Sequence, residues 1–154
     1  MKFSAKQVAM QITLIDDIFV QGIDKQEMLL YSRKQESKDV PTWDSYTQHT
    51  NRVPAWLVTR IFESPKQRDR DKYFKFLLKI LNALMKLGNV STAMQTYCMM
   101  KNRCVERLWW GFSYDELMEK NTLSKLIDTS RSFQNYRNHI KEAMKEKKPV
   151  MLFL

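Results

Sequence analysis

The chain has 154 residues, 44% of them hydrophobic and 28% charged, with a formal net charge of +9. That length supports one domain with one core, and three glycines with four prolines are too few for the turns of an all-β domain or for long disordered tracts. No apolar run approaches bilayer-spanning length, and the opening MKFSAKQVAMQITL interrupts the apolar core a signal peptide needs, so an intracellular, soluble, all-α protein is expected.

Along the chain, Val8, Ile12, Ile15 and Phe19 recur at helical spacing over residues 5–20, with Met10, Leu14 and Ile18 beside them. Ser4 is placed to cap this helix and Gly22 to end it. A short helix is predicted over Lys25 to Tyr31, followed by the polar connector SRKQESKD. Pro41 opens the next helix, through Trp43 to Thr50. Pro54 reads as the first turn of a separate helix capped by Asn51 or a neighbour, with Trp56, Leu57, Ile61 and Phe62 facing inward. The strongest signal runs from Pro65 to Leu87. There Tyr73, Leu77, Ile80, Leu84 and Leu87 form a stripe that Phe74, Leu78, Leu81 and Met85 widen, so this helix is expected at the centre of the core. Gly88 is its stop. Ser91 reads as the N-cap of TAMQTYCMMK, and CVERLWWGF follows. Ser113 with Glu116 has the capping-box pattern, and SFQNYRNHIKEAMKEKK is the last helix before Pro149 and VMLFL.

Chemical templates find little purchase. No clustered glycines form a phosphate cradle, and serines sit at caps rather than at a strand-to-helix elbow. His49 and His139 read as surface or capping residues. Asp16 and Asp17 are adjacent on a helix, point to different faces, and are expected in solvent. Cys98 and Cys104, the two cysteines, are expected to be unpaired and partly buried, and no metal-ligand spacing or histidine partner lies near them. In KQRDRDK acidic residues interrupt the basic ones and KEKKP is a short cluster. The charge therefore reads mainly as solvated helix faces, with a weak attraction to anionic membrane as the functional reading.

Three stretches together resemble the catalytic domain of Ras-family guanine nucleotide exchange factors of the Son of sevenless type. VAMQITLIDDIFVQGIDKQEML is similar to the family's opening helix, at Ala9, Gln11, Ile12, Thr13, Leu14, Ile15 and Asp16. The run from NRVPAWLVTRI to WWGF resembles the family's later helices at Asn51, Trp56, Arg70, Leu87, Asn89, Arg107, Leu108 and Phe112. SRSFQNYRNHI matches at Asn135, Tyr136 and Arg137. The resemblance implies an irregular all-helical bundle like the N-terminal two-thirds of such a domain, spanning residues 1–154 as one partial domain. It also implies an exchange factor that binds a Ras-superfamily small GTPase and speeds GDP release, with no covalent chemistry and no cofactor.

Carried over by position, the surface for the GTPase's switch II segment would use Met10, Thr13, Met94, Cys98, Lys101, Arg103 and Glu106, with an exposed methionine taking an aromatic anchor; Met94 and Cys98 equally suit a core. Asn51, Trp56, Arg70, Arg107 and Tyr136 resemble signatures of the fold, with Trp56 in the core. Gly88, Lys101 and Glu106 depart from the family's usual residues. PVMLFL resembles the family's Pro-x-hydrophobic-Pro-Phe-Leu-Gly segment with Leu152 in place of the second proline. In the family, the hairpin that opens the nucleotide site and further core helices come after this point. A truncated domain is therefore expected, with an apolar patch on the 65–87 helix and pairing with itself or another chain. The competing readings are a non-catalytic helical module that binds a GTPase or another protein, and a basic protein binding nucleic acid or membrane.

Overall fold

The structure, a computed structural model, describes residues 2–32, 39–108, 122–126 and 133–152. Eight α-helices occupy them: α1 (Ala5–Gln21), α2 (Lys25–Ser32), α3 (Pro41–Thr59), α4 (Gln67–Lys86), α5 (Val90–Met100), α6 (Arg103–Glu106), α7 (Thr122–Leu126) and α8 (Gln134–Lys145). Among the described residues there is no strand, only an isolated parallel bridge between Asn89 and Met151. The all-α expectation holds. The Ser113–Glu116 capping box and Phe112 lie outside the described residues.

Helix α1 starts as its sequence requires. Ser4 Oγ accepts the Gln7 N–H at 3.3 Å and the Gln7 side chain accepts the Ser4 N–H at 2.9 Å, a reciprocal capping box. Its buried line differs from the expected one: Ala9, Ile12 and Asp16 face the core, whereas Ile15 is 45% exposed. Asp16, expected in solvent, is thus a buried carboxylate.

Three donors meet that carboxylate. Asn89 Nδ2 and Thr92 Oγ1 bond to Asp16 Oδ2 at 2.6 and 2.7 Å, and His49 Nε2 lies 2.6 Å from Oδ1. His49, expected at the surface or at a cap, instead stacks on Phe19 with ring centroids 4.0 Å apart. Asn89 is fully buried, and its Oδ1 also accepts the Thr92 N–H at 3.2 Å. It is therefore Asn89, not Ser91, that caps α5. One carboxylate joins α1, α3 and α5.

Helix α2 serves α3 in a similar way. Glu27 is buried and accepts the Thr42 N–H, the Trp43 N–H and the Thr42 hydroxyl at 2.8, 3.0 and 2.8 Å. A carboxylate from another helix thereby satisfies the open N–H groups of the α3 start and complements its dipole.

Helix α3 is continuous through Pro54, where two helices were expected. A proline inside a helix forfeits one backbone hydrogen bond and costs about 3 kcal/mol. Here burial offsets that cost, because Tyr46, Thr50, Pro54, Leu57 and Val58 are all buried at helical spacing. Asn51 is interior to the helix and exposed, so it caps nothing. Leu57 and Ile61 face the core as expected, but Trp56 is 51% and Phe62 46% exposed. Trp56 sits one residue, about 100°, off the buried line of α3, and Phe62 sits one residue past buried Ile61 in the 3₁₀ turn Arg60–Glu63 that follows α3.

Helix α4 is central, with Phe74, Leu77, Leu78, Ile80, Leu81 and Leu84 buried. Arg70 Nη1 donates to the Ser64 and Pro65 carbonyls, both at 2.9 Å, fixing the loop that enters α4. Tyr73 donates to the Leu57 carbonyl at 2.9 Å, and burial pushes its hydroxyl pKa up to about 12. The stripe expected to be bare on α4 is covered. Exposed apolar side chains lie instead on α1 and α2, at Leu14, Ile18, Val20, Met28 and Leu29. Of these, Leu14, Val20 and Met28 line a groove of about 740 Å³ that Pro149 to Leu152 complete. Val8 shares a cleft with Tyr73, Phe76 and Ile80, while Thr13, Leu14, Asp17, Val20 and Gln21 share this groove with Leu87 and Gly88. Helices α1 and α4 therefore run in the same direction.

Gly88 ends α4 with φ of 79°, and a Cβ there would fall 2.0 Å from the Pro149 carbonyl oxygen. The Gly88 carbonyl accepts the Met151 N–H at 2.8 Å. Both the left-handed backbone and the close approach require glycine.

Asp16→Ala strands buried donors on α3 and α5 and should cost about 3–5 kcal/mol in urea unfolding, against less than about 1 kcal/mol for Asp17→Ala next door; equal losses would show that the buried carboxylate holds nothing together. Gly88→Ala should destabilise by more than about 1 kcal/mol, and in a chain ending before Pro149 the loss should shrink to the share that the positive φ alone imposes.

Candidate functional site

Helix α5 is buried on most of its circumference, with Val90, Ser91, Thr92, Ala93, Met94, Thr96, Tyr97 and Met100 all enclosed. Packing against α3 and α4 leaves little of it outward. Cys98 is its one exposed residue, with its sulfur partly shielded from solvent. The helix delivers its surface at its C-terminal end. Lys101 closes it, donating its N–H to the Tyr97 and Cys98 carbonyls at 3.2 and 3.1 Å. The Lys101 ammonium lies 5.8 Å from the centre of the Tyr97 ring, a cation–π contact that steadies a long side chain.

Asn102 then turns the chain. Its Oδ1 accepts the Cys104 N–H at 2.9 Å, and its carbonyl accepts the Val105 N–H at 2.9 Å. Val105 is 2% exposed and anchors α6 from beneath. The result is a small platform on which Cys98, Lys101, Asn102, Arg103, Cys104, Glu106 and Arg107 are exposed over buried Met100 and Val105. Cys98 and Cys104 are free thiols, exposed where partial burial was expected. Desolvation of the sulfur pushes the Cys98 thiol pKa up, and Lys101 only partly opposes this. A neutral thiol is a contact group, not a nucleophile.

The seven expected site residues divide. Cys98, Lys101, Arg103 and Glu106 come together on the platform. Met94 is 1% exposed and belongs to the core, so it cannot receive an anchor at the surface. The periodicity of a helix buried nearly all round gives no sign of this. Thr13 is half-buried beside the carboxylate hub, 3.4 Å from Asn89 Nδ2. That places it at the opposite end of α5, since Thr92 and Lys101 are nine residues, roughly 14 Å, apart along the helix. Met10 is 43% exposed on α1. Asn102 and Cys104 are not among the expected site residues, although an asparagine two residues before an amide it can bond is a recognisable turn signal.

Among the described residues no group of three or more His, Cys, Asp or Glu could hold a metal ion, and no helix is long and apolar enough to cross a membrane. The platform offers cations at Lys101, Arg103 and Arg107, a carboxylate at Glu106 and rigid support, which suits recognition of another macromolecule.

Residues 7–154 match the model of the RasGEF domain. The chain is 30% identical over 141 residues to the human (Homo sapiens) protein named Rap guanine nucleotide exchange factor 1, covering 91% of this chain and 13% of that protein. It is 27% identical to guanine nucleotide-releasing factor 2 of Drosophila melanogaster, covering 88% of this chain and 8% of the relative. It is likewise 27% identical to Ras guanine nucleotide exchange factor W of Dictyostelium discoideum, over 90% of this chain and 12% of the relative. The chain thus spans a small fraction of the length of each of these relatives. The match is to the domain family, a coarser level than the Son of sevenless type. With nearly every described helix inside the matched range, this chain belongs to the RasGEF domain family.

Proposed function

We propose that this chain binds a Ras- or Rap-type small GTPase through the platform at the end of α5 and promotes release of GDP. The observation that carries the proposal is the gathering of Cys98, Lys101, Arg103 and Glu106 on one exposed surface over buried Met100 and Val105. The family and the names of its relatives supply the class of partner.

The mechanism is differential binding. A factor that holds the nucleotide-free GTPase more tightly than the GDP-bound form weakens GDP affinity by the same ratio. A coupling of about 1–3 kcal/mol is roughly a 5- to 150-fold change. No covalent step and no cofactor enter. We assign the chain to the cytoplasm, where its net charge of +9 supports weak attraction to the anionic inner membrane surface. Exposed Leu14, Ile18 and Leu29 support self-association.

The first test is release of a fluorescent GDP analogue from Ras, Rap, Ral and Rho-type GTPases with the chain added. Accelerated release from a Ras- or Rap-type GTPase is expected. No release together with no binding to the nucleotide-free GTPase, from protein shown to be folded, would contradict the proposal. Binding that is indifferent to nucleotide would instead reveal a non-catalytic module. Met94→Asp reports on folding, because it puts a charge into the core. The surface variant Lys101→Glu with Arg103→Glu should slow exchange or weaken binding by about tenfold or more and leave the melting temperature nearly unchanged.

A further inference from the structure

A second concave surface lies outside the platform. It is a cleft of about 320 Å³ between the start of α1, the end of α3 and the first half of α4, and no candidate GTPase-binding residue lines it. Phe3, Val8, Leu57, Phe76 and Ile80 form its apolar wall, with Tyr73, Trp56, Lys2 and Arg60 completing it. Trp56 is 51% and Phe3 63% exposed, so two aromatic rings stand in water beside a hollow. The charged residues lining it, Lys2 and Arg60, are both cations.

Arg60 is already oriented. Its guanidinium carbon lies 5.6 Å from the centre of the Trp56 ring, which holds the planar cation at the rim. Glu63 approaches it at 3.4 Å, in a pair whose side chains are 44% and 60% exposed. Such a pair is weak and exchangeable. An incoming carboxylate can take the place of Glu63 while an apolar side chain enters the hollow.

We propose that this cleft is a docking site for a partner protein segment that carries an apolar or aromatic anchor flanked by carboxylates. Charge complementarity selects the occupant: a cationic rim around an aromatic hollow favours an acidic sequence with a single buried anchor. The concavity favours a side chain over a flat lipid surface, which would be met by a protruding patch. The site is independent of the GTPase platform, and its occupation requires no GTPase.

The test uses the full chain labelled with 15N and titrated with the acidic peptide acetyl-DEFLD-amide. Saturable shifts of the Trp56 indole N–H and of neighbouring amides are expected, and the lysine counterpart acetyl-KKFLK-amide should produce none. Trp56→Ala should weaken binding by about tenfold and Arg60→Gln by about three- to fivefold. Glu63→Gln, which removes the internal competitor, should tighten it. Trp56 and Arg60 are exposed enough for both variants to fold, and a thermal melt checks this. Equal binding of the two peptides, or binding unchanged in Arg60→Gln and Glu63→Gln, would overturn the proposal. So would the absence of peptide binding alongside Trp56-dependent binding to phosphatidylcholine–phosphatidylserine vesicles, which would make the surface a membrane contact.

Discussion

The carboxylate of Asp16 is the constraint around which the bundle is arranged. A charge 3% exposed is tolerable in a protein interior only when hydrogen-bond donors replace its water. Asn89, Thr92 and His49 do so from two other helices. Because a carboxylate bond is directional and short, it fixes the axial register of α1 against α5, which apolar contacts alone would leave loose. Asn89 sits at the junction in two senses. It feeds the hub with its amide nitrogen and caps α5 with its amide oxygen. Gly88, immediately before it, reverses the chain through a positive φ and presents its carbonyl to Met151. A single turn thus starts α5, locks α1 and seats the segment from Pro149 to Leu152.

This arrangement gives α5 a fixed end and an exposed end. At the first, polar bonds tie it to α1 and α3. Between the two, near-complete burial by α3 and α4 leaves it no freedom to tilt without opening the core. At the second, the cation–π contact of Lys101 and the anchoring of Val105 hold a short run of exposed polar groups in place. Recognition by pre-arranged groups costs less ordering entropy on binding than recognition by a loop. The burial of Met94 moves any apolar anchoring to the platform margin, where Cys98 is exposed and Met99 half-buried.

Helices α1 and α4 were legible because their apolar residues recur at helical spacing, and Ser4 and Gly88 mark their boundaries through chemistry that depends only on local backbone. What was illegible depends on other helices. Pro54 looks like a helix start because proline usually is one; only the burial of Leu57 and Val58 on either side of the packing contact makes an internal proline affordable. Trp56 and Phe62 look like core because they are large and apolar, yet the phase of α3 turns Trp56 outward and the 3₁₀ turn that follows it, Arg60–Glu63, turns Phe62 outward. Asp16 looks like solvent because its type is polar, although it falls on the Ala9–Ile12 line. Its burial is intelligible only with Asn89 and Thr92, more than seventy residues away. The platform was partly legible through the family resemblance, which located Lys101, Arg103 and Glu106. It could not separate them from Met94, whose position in the core follows from packing against α3 and α4.

The central claim is that the rigid end of α5, with α6, is the surface that engages a small GTPase. Amide hydrogen exchange of the full chain, alone and with a nucleotide-free Ras- or Rap-type GTPase, tests it most directly. The account predicts added protection over residues 98–107, with little change at the cleft beside Trp56. Protection confined to other helices, with residues 98–107 exchanging as in the free chain, would contradict it.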